Sequence, residues 1–184
     1  MRLCLVSDSH RHRHELLRAV KTLQPLDGIL HAGDETSDAA WLMERVDWPV
    51  YAVAGNWDAV TSAFPHERIL NCGLKVLLTH GHKLRVKEGL TQLQQHADEI
   101  DAKVVVYGHT HKAQTVVYNG RLYVNPGSLA SPRGGRERTC ALLEIECLRD
   151  EEYYQVRASH VTVQGDIVHS FLHTFHPRSS DNRT

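Results

Sequence analysis

The sequence has little that would place the chain in a membrane or on a nucleic acid. Nowhere do eighteen apolar residues follow one another, and the start, MRLCLVSDSH, has only a short apolar run and no cleavage pattern. With 21 basic and 22 acidic side chains, the net charge is −1, so no overall positive field is present. We therefore expect a cytoplasmic protein with no membrane association and no dedicated nucleic-acid domain.

The cysteines also lack the spacing that a zinc knuckle or a disulfide framework requires. Cys4, Cys72, Cys140 and Cys147 form no C-x-x-C pair. Histidine, by contrast, is abundant, because the 184-residue chain contains fourteen. Imidazole is the commonest metal ligand among side chains, so the positions of these histidines decide whether their number has a chemical meaning.

Strand-length apolar runs alternate with helical periodicity in the first part of the chain. RLCLVS, GILHAG, VYAVAG, KVLLTHG and KVVVYG predict five strands. A leucine-rich helix is predicted after the first strand, Asp38 is the predicted N-cap of a second helix, and a longer helix is expected over residues 84–100. Alternating strands and helices are typical of a parallel sheet.

The rest of the chain predicts strands without helices between them. TVVYNGRLYVNPGS contains the Asn119–Gly120 pair of a tight hairpin, and TCALLEIEC, YYQVRASHVTV and IVHSFLHTF predict three further strands of an antiparallel sheet. A parallel part joined to an antiparallel part packs best as two sheets face to face with helices outside. We expect a single domain over residues 1–176 and a frayed polar tail over residues 177–184.

Every strand of the first part ends on side chains that can bind a metal. In chain order these are Asp8, His10, Asp34, Asn56, His80, His82, His109 and His111. Because the carboxyl ends of strands in an open α/β sheet line one edge, the side chains are expected to converge there. His80 and His82 compete for one position, which leaves seven ligands. Seven are too many for one divalent ion with room for a substrate and suit two ions.

The ordered motifs D-x-H, G-D, G-N-x-D, H-G-H and G-H-x-H resemble those of the calcineurin-like metallophosphoesterase superfamily from Arg2 to about Arg138. Within it, VNPGSLASPRG resembles the small single-domain bacterial and archaeal phosphodiesterases. The resemblance implies a four-layer α/β/β/α sandwich of two packed mixed sheets with flanking helices. It also implies a metal-dependent phosphohydrolase, specifically a phosphodiesterase with a small phosphodiester or phosphorylated substrate.

The resemblance further implies a ligand set for each of two divalent metal ions. One ion would bind Asp8, His10, Asp34 and His111, and the other would bind Asp34, Asn56, His80 and His109, with Asp34 bridging. A hydroxide held between cations about 3.5–4 Å apart would attack phosphorus in line. The candidate catalytic residues are Asp34, Asn56, His80 and His82; family spacing favours His80 as the ligand and leaves His82 a supporting or proton-transfer role. Manganese is the first choice of metal, with nickel, cobalt, iron or zinc as alternatives.

Several positions keep two interpretations open. Trp57 stands where many family members carry a leaving-group histidine, and an indole there either fills space or stacks on a substrate ring. Asn125 and Ser128 either orient the site or simply form a turn, and the arginines at 133, 136 and 138 either meet a phosphate or are solvated. A homo-oligomer is possible. The alternative function is a non-catalytic protein-interaction scaffold of the same fold, which the full ligand set argues against.

Overall fold

Two β-sheets packed face to face form the centre of the molecule. The computed structural model describes residues 1–135, 137–148 and 153–176. The strands within these residues are β1 (Arg2–Val6), β2 (Gly28–His31), β3 (Val50–Ala52), β4 (Glu67–Asn71), β5 (Lys75–Thr79), β6 (Val104–Val106), β7 (Ala113–Tyr118), β8 (Arg121–Pro126), β9 (Thr139–Leu148), β10 (Tyr153–Thr162) and β11 (Ile167–Phe175). One sheet has the order β11-β10-β9-β1-β2-β3 and the other has the order β4-β5-β6-β8-β7.

Each sheet combines parallel and antiparallel strands. Strands β1, β2 and β3 are parallel to one another, and so are β5, β6 and β8. Strand β9 runs antiparallel to β1, while β4 and β7 run antiparallel to β5 and β8. The prediction of mixed sheets is therefore confirmed. The expectation of one separate antiparallel sheet in the second part was wrong, because β7 and β8 complete one sheet and β9, β10 and β11 extend the other.

Helices cover the outer faces of the sheets. Helix α1 (Arg13–Thr22) and helix α2 (Thr36–Met43) pack on the β1–β2 side, where Leu16, Val20 and Leu42 are buried. Helix α3 (Thr91–Glu99) packs on the β5–β6 side through Leu93 and Ala97. Between the sheets, Leu5, Leu30, Val76, Val106 and Val124 belong to one fully buried cluster. Burying each such side chain contributes roughly 1.5–3 kcal/mol, so these layers hold the α/β/β/α sandwich together.

Three local predictions were wrong. The long helix expected over residues 84–100 is a 3-10 turn (His82–Leu84) followed by α3, because Arg85 at φ 52° and Gly89 at φ 149° interrupt it. Strand β4 was missed, since its short alternation of exposed and half-buried residues gives no apolar run. Asp38 does not cap α2, which begins at Thr36; its buried carboxylate binds a different loop.

The predicted hairpin is present in the structure. Asn119 and Gly120 both have positive φ, at 48° and 67°, and join β7 to β8 through the Tyr118–Arg121 pair. Among the described residues, no helix is long and apolar enough to cross a membrane. The expected tail over residues 177–184 lies outside the described residues.

Candidate metal centre

The seven predicted ligands come together at one edge of the molecule. Asp8 and His10 follow β1, Asp34 follows β2, Asn56 follows β3, His80 follows β5, and His109 and His111 follow β6. The carboxyl ends of parallel strands from both sheets thus lie close together. Two groups of donor atoms result, each with all its atoms within 4.8 Å of one another. We call Asp8, His10 and His111 the first donor set, and Asp34, His80 and His109 the second donor set.

The first donor set combines a buried carboxylate with two imidazoles. His111 Nδ1 lies 2.8 Å from the Ser131 carbonyl, so Nδ1 carries the proton and Nε2 presents a lone pair. That Nε2 lies 3.1 Å from Asp8 Oδ1, a buried atom with no well-aligned hydrogen-bond partner among the described residues. Two electron-rich atoms at this distance need a proton or a cation between them. The arrangement therefore fits a bound cation.

The second donor set is organised around His80. Its Nδ1 lies 2.7 Å from the Ala32 carbonyl, which leaves the lone pair on Nε2. Around this Nε2 lie Asn56 Oδ1 at 3.2 Å, His109 Nδ1 at 3.1 Å and Asp34 Oδ2 at 3.4 Å. Nitrogen and oxygen donors without a thiolate suit a borderline divalent ion such as manganese, iron, cobalt, nickel or zinc. The residues present therefore fit a second cation as well.

The charges of the two donor sets shift one another's pKa values. Burial alone would raise the pKa of Asp34, but the hydrogen bond and charge of His80 outweigh it and lower that pKa to about 2. Burial likewise opposes ionisation of His80, yet its contacts with Asp34 and Asp8 raise its pKa. Contact with Asp8 raises the pKa of His111, whereas burial and the charge of His80 lower the pKa of His109 to about 4.

Two glycines permit the close approach of these ligands. A Cβ at Gly55 would collide with the carboxylate and backbone nitrogen of Asp34. A Cβ at Gly108 would collide with Ser7 Oγ and would lie 2.9 Å from the Ala32 carbonyl oxygen. The glycines of G-N-x-D and G-H-x-H are thus required by packing against the neighbouring strand ends.

The ligand backbones share an unusual conformation. Five of the seven have positive φ, namely Asp8 (51°), His10 (38°), Asp34 (51°), His109 (67°) and His111 (60°). The left-handed region costs roughly 1–2 kcal/mol for a residue with a side chain, although Asp, Asn and His tolerate it best. Such strain persists where the surrounding structure holds the backbone, and it concentrates at functional sites.

Two acidic residues that were not predicted as site residues hold the ligand loops. Asp58 accepts hydrogen bonds from the backbone N–H groups of Asp34, Thr36 and Gly55, at 2.7–3.0 Å. Asp38 accepts from Ser9 Oγ and the Arg11 N–H, at 2.7 and 2.8 Å. The aspartate of the G-N-x-D motif is the sequence feature that could have identified Asp58 as a site residue. For Asp38, the sequence offered only the misleading helix-cap pattern.

Polar residues of the NPGS segment also support the site. Asn125 Nδ2 donates to the Gly108 carbonyl at 2.8 Å and to Thr110 Oγ1 at 3.0 Å. Ser128 Oγ donates to the Asp8 carbonyl at 2.9 Å and accepts from the Ser131 N–H at 2.9 Å. Both residues are fully buried. Of the two interpretations left open, the structure favours orientation of the site over a simple turn.

The remaining candidates lie around the two donor sets. The His82 ring is centred 5.3 Å from that of His80 but does not belong to either donor set. Trp57 is 77% exposed with its ring edge-on to His10, so it does not fill a gap in the core. Arg138 pairs with Glu15 on α1, whereas the Arg133 N–H donates to the His111 carbonyl at 2.9 Å. Arg136 lies outside the described residues.

Comparison with known sequences identifies the family. The family model of the calcineurin-like phosphoesterase superfamily domain matches residues 1–147. The probable metallophosphoesterase YsnB of Bacillus subtilis is 36% identical over 148 residues, which cover 79% of this chain and 85% of the relative. The phosphodiesterase YfcE of Escherichia coli is 30% identical over 127 residues, or 65% of each chain.

Solved structures share the fold. A conserved Streptococcus pneumoniae protein, a predicted phosphoesterase, superimposes with a TM-score of 0.73 at 27% identity and covers 94% of this chain and 97% of its own. Vps29 of Entamoeba histolytica, solved with zinc, gives a TM-score of 0.69 at 20% identity over 96% of this chain and 100% of its own. By its motifs, its fold and its matched relatives, the chain belongs to the calcineurin-like phosphoesterase superfamily.

Proposed function

We propose that the chain is a phosphodiesterase that binds two divalent transition-metal ions through its two donor sets. The observation that carries the proposal is the pair of fixed tautomers at His80 and His111, whose Nε2 lone pairs both face acidic oxygens inside the site. When bound, such a pair of cations activates a water for in-line attack on phosphorus and neutralises charge on the phosphoryl oxygens. Manganese is the first ion to test.

Asp34 is the residue that we place between the two ions. Its Oδ1 accepts a hydrogen bond from the Trp57 N–H at 3.1 Å, and its Oδ2 lies on the His80 side at 3.4 Å. The charge of His10, a member of the first donor set, also lowers the pKa of Asp34. A carboxylate anchored between both sets can give one oxygen to each cation and reduce their mutual repulsion. Asn56 Oδ1 and His109 Nδ1 lie 3.2 and 3.1 Å from His80 Nε2, so Asn56 is the further ligand that we propose beside the second set.

The diester preference rests on charge and on Trp57. A diester carries one negative charge where a monoester carries up to two, so it needs less neutralisation. Trp57, at the position where many family members carry a histidine, is exposed, and its indole cannot protonate a leaving group. His82, whose ring lies near those of His80 and His109, remains our candidate for supplying that proton. The name of the YfcE relative points the same way.

A paired hydrolysis assay with metal analysis tests this proposal. We expect about two transition-metal ions per chain, loss of aryl phosphodiester hydrolysis after chelation, and best recovery with Mn²⁺. Diesters should be cleaved faster than the matching monoesters. His14→Ala, on the exposed face of α1, is the control that should change neither metal content nor rate. An unchanged rate after exhaustive chelation would overturn the metal-dependent mechanism, and faster monoester cleavage would overturn the diester preference.

The scaffold function is the second candidate, favoured by the similarity of the fold to Vps29. At 20% identity that similarity concerns the fold alone. All seven ligand positions carry side chains that can bind a metal, and the two donor sets converge. A scaffold has no need for this geometry. If two metals bind but no phosphoester is hydrolysed, the scaffold becomes the better interpretation.

A further inference from the structure

A cleft of about 340 Å³ opens directly beside the first donor set. His111 lines the cleft together with residues from the start of β7 and from the loop after Ser131. Val168, which is 52% exposed, contributes an apolar wall from β11. Sites for whole small ligands span roughly 300–1,000 Å³, so this cleft has room for one modest chemical group next to the candidate metal centre.

The sides of the cleft are held in place by contacts with the site. The Arg133 N–H donates to the carbonyl of His111, which ties the loop to the ligand residue. Gly134 has a φ of 78°, and its backbone lies against the aliphatic stem of Lys112. The Lys112 Cγ lies 3.6 Å from the position that a Cβ on Gly134 would take. Gln114 accepts a hydrogen bond from the Tyr107 hydroxyl at 2.9 Å, which fixes its amide. The cleft is therefore a formed feature of the fold.

The charges of the cleft favour an anion. Lys112 and Arg133 line it, with Glu137 as the one carboxylate among its described lining residues. Within the described part of the chain, neither cation forms an ion pair with an acidic side chain. The positive charge of Arg133 is close enough to act on His111. Two unpaired cations beside a phosphate-binding centre are suited to a further negative group on the same substrate.

We infer that this cleft binds one ester arm of the substrate and that this arm carries a second anionic group, such as a second phosphate. The inference rests on the proposed function, because a diester bound at the donor sets has an arm to place beside His111. Metal ions would neutralise the scissile phosphate, which leaves Lys112 and Arg133 for the second anion. Ala113, Pro132 and Val168 would contact the apolar part of the arm.

Two matched substrates test the inference. Both are aryl phosphodiesters with the same aryl leaving group; one has a neutral alkyl arm, and the other has an arm of equal length that ends in a phosphate. For the double variant Lys112→Met/Arg133→Met, we expect KM for the phosphate-bearing diester to rise about 10-fold, with kcat within about twofold of wild type. KM for the neutral diester should stay within about twofold. Lys21→Met, at the end of α1, is the control for removal of an exposed cation.

Binding separates this inference from the proposed function. Phosphonate analogues of both diesters, which cannot be hydrolysed at the bridging carbon, are titrated into the metal-loaded wild type and the double variant. We expect the wild type to bind the phosphate-bearing analogue about 10-fold more tightly than the neutral one and the double variant to lose this preference. Equal affinity of the wild type for both analogues would overturn the cleft assignment, whatever the turnover. If the wild type prefers the phosphate-bearing analogue but hydrolyses neither diester, the phosphodiesterase proposal alone would be overturned.

Discussion

The two donor sets differ in how completely the protein assembles them. In the second set, His80 is fully buried and its Nε2 lies within 3.4 Å of three other donor atoms. In the first set, one such contact joins Asp8 to His111, and the His10 ring has no hydrogen-bond partner among the described residues. The first set also borders the open cleft. If two cations bind as proposed, the second set would hold the more tightly built position and the first set, which borders the cleft, would hold the more accessible one.

The largest expected effect comes from removing the carboxylate of Asp34, which we propose to be shared by both ions. Asp34→Asn keeps the shape of the side chain but loses its charge and its second good metal-binding oxygen. We expect near-native circular dichroism, well under one tightly bound metal per chain, and diester turnover lower by at least about 100-fold. If this variant retains two metals and near-full turnover, Asp34 does not bridge the sets.

Single histidine replacements in the two sets should differ in how many metal positions they weaken. His80→Ala removes the atom around which Asn56, His109 and Asp34 are arranged, so it should weaken metal binding at both positions. His111→Ala should lower metal affinity about 10–100-fold at the first position and leave the second partly filled. Elemental analysis after dialysis against limiting metal distinguishes the two. Equal losses of bound metal in the two variants would show that the two donor sets do not differ in the way that their contacts indicate.

Acidification should weaken metal binding at both sets. His80 and His111 must be deprotonated at Nε2 to bind a cation, and contacts with carboxylates raise both pKa values. As pH falls through these raised values, protons compete with metal, so Mn²⁺ affinity should begin to fall above the ordinary histidine pKa of about 6.5. His109, with a pKa of about 4, stays neutral over this range. Titration calorimetry between pH 8 and 5 measures the effect; affinity that is constant down to pH 5 would contradict it.

The smallest expected effect concerns the exposed neighbour of the first set. Trp57→His restores a possible proton donor near His10 without altering a predicted ligand. Hydrolysis of diesters with poor alkoxide leaving groups should rise by up to about 10-fold, while good aryl leaving groups change little. A series of leaving groups of graded pKa provides the measurement. A uniform change across the series would indicate altered metal geometry instead.

The sequence predicts the centre of this site better than its surroundings. Motifs at strand ends predict all seven residues of the candidate site, because parallel topology brings Asp8 and Asp34 to the end of one sheet and His80 and His109 to the end of the other. The contacts that position them were not predictable in this way. Asp58 accepts hydrogen bonds from the backbone of Asp34 and Thr36, which lie 24 and 22 positions earlier in the chain. The cleft likewise joins segments that are distant in sequence. Such partnerships depend on how loops pack, which local periodicity does not encode.

The left-handed backbone at five ligands has an evolutionary consequence. Glycine adopts that conformation without strain, so exchange of one of these five residues for glycine removes a metal-binding side chain without adding backbone strain. Metal binding can therefore be lost in a lineage in single steps while the sandwich remains intact. If the chain is the enzyme that we propose, its fold would outlast the loss of its metal ligands.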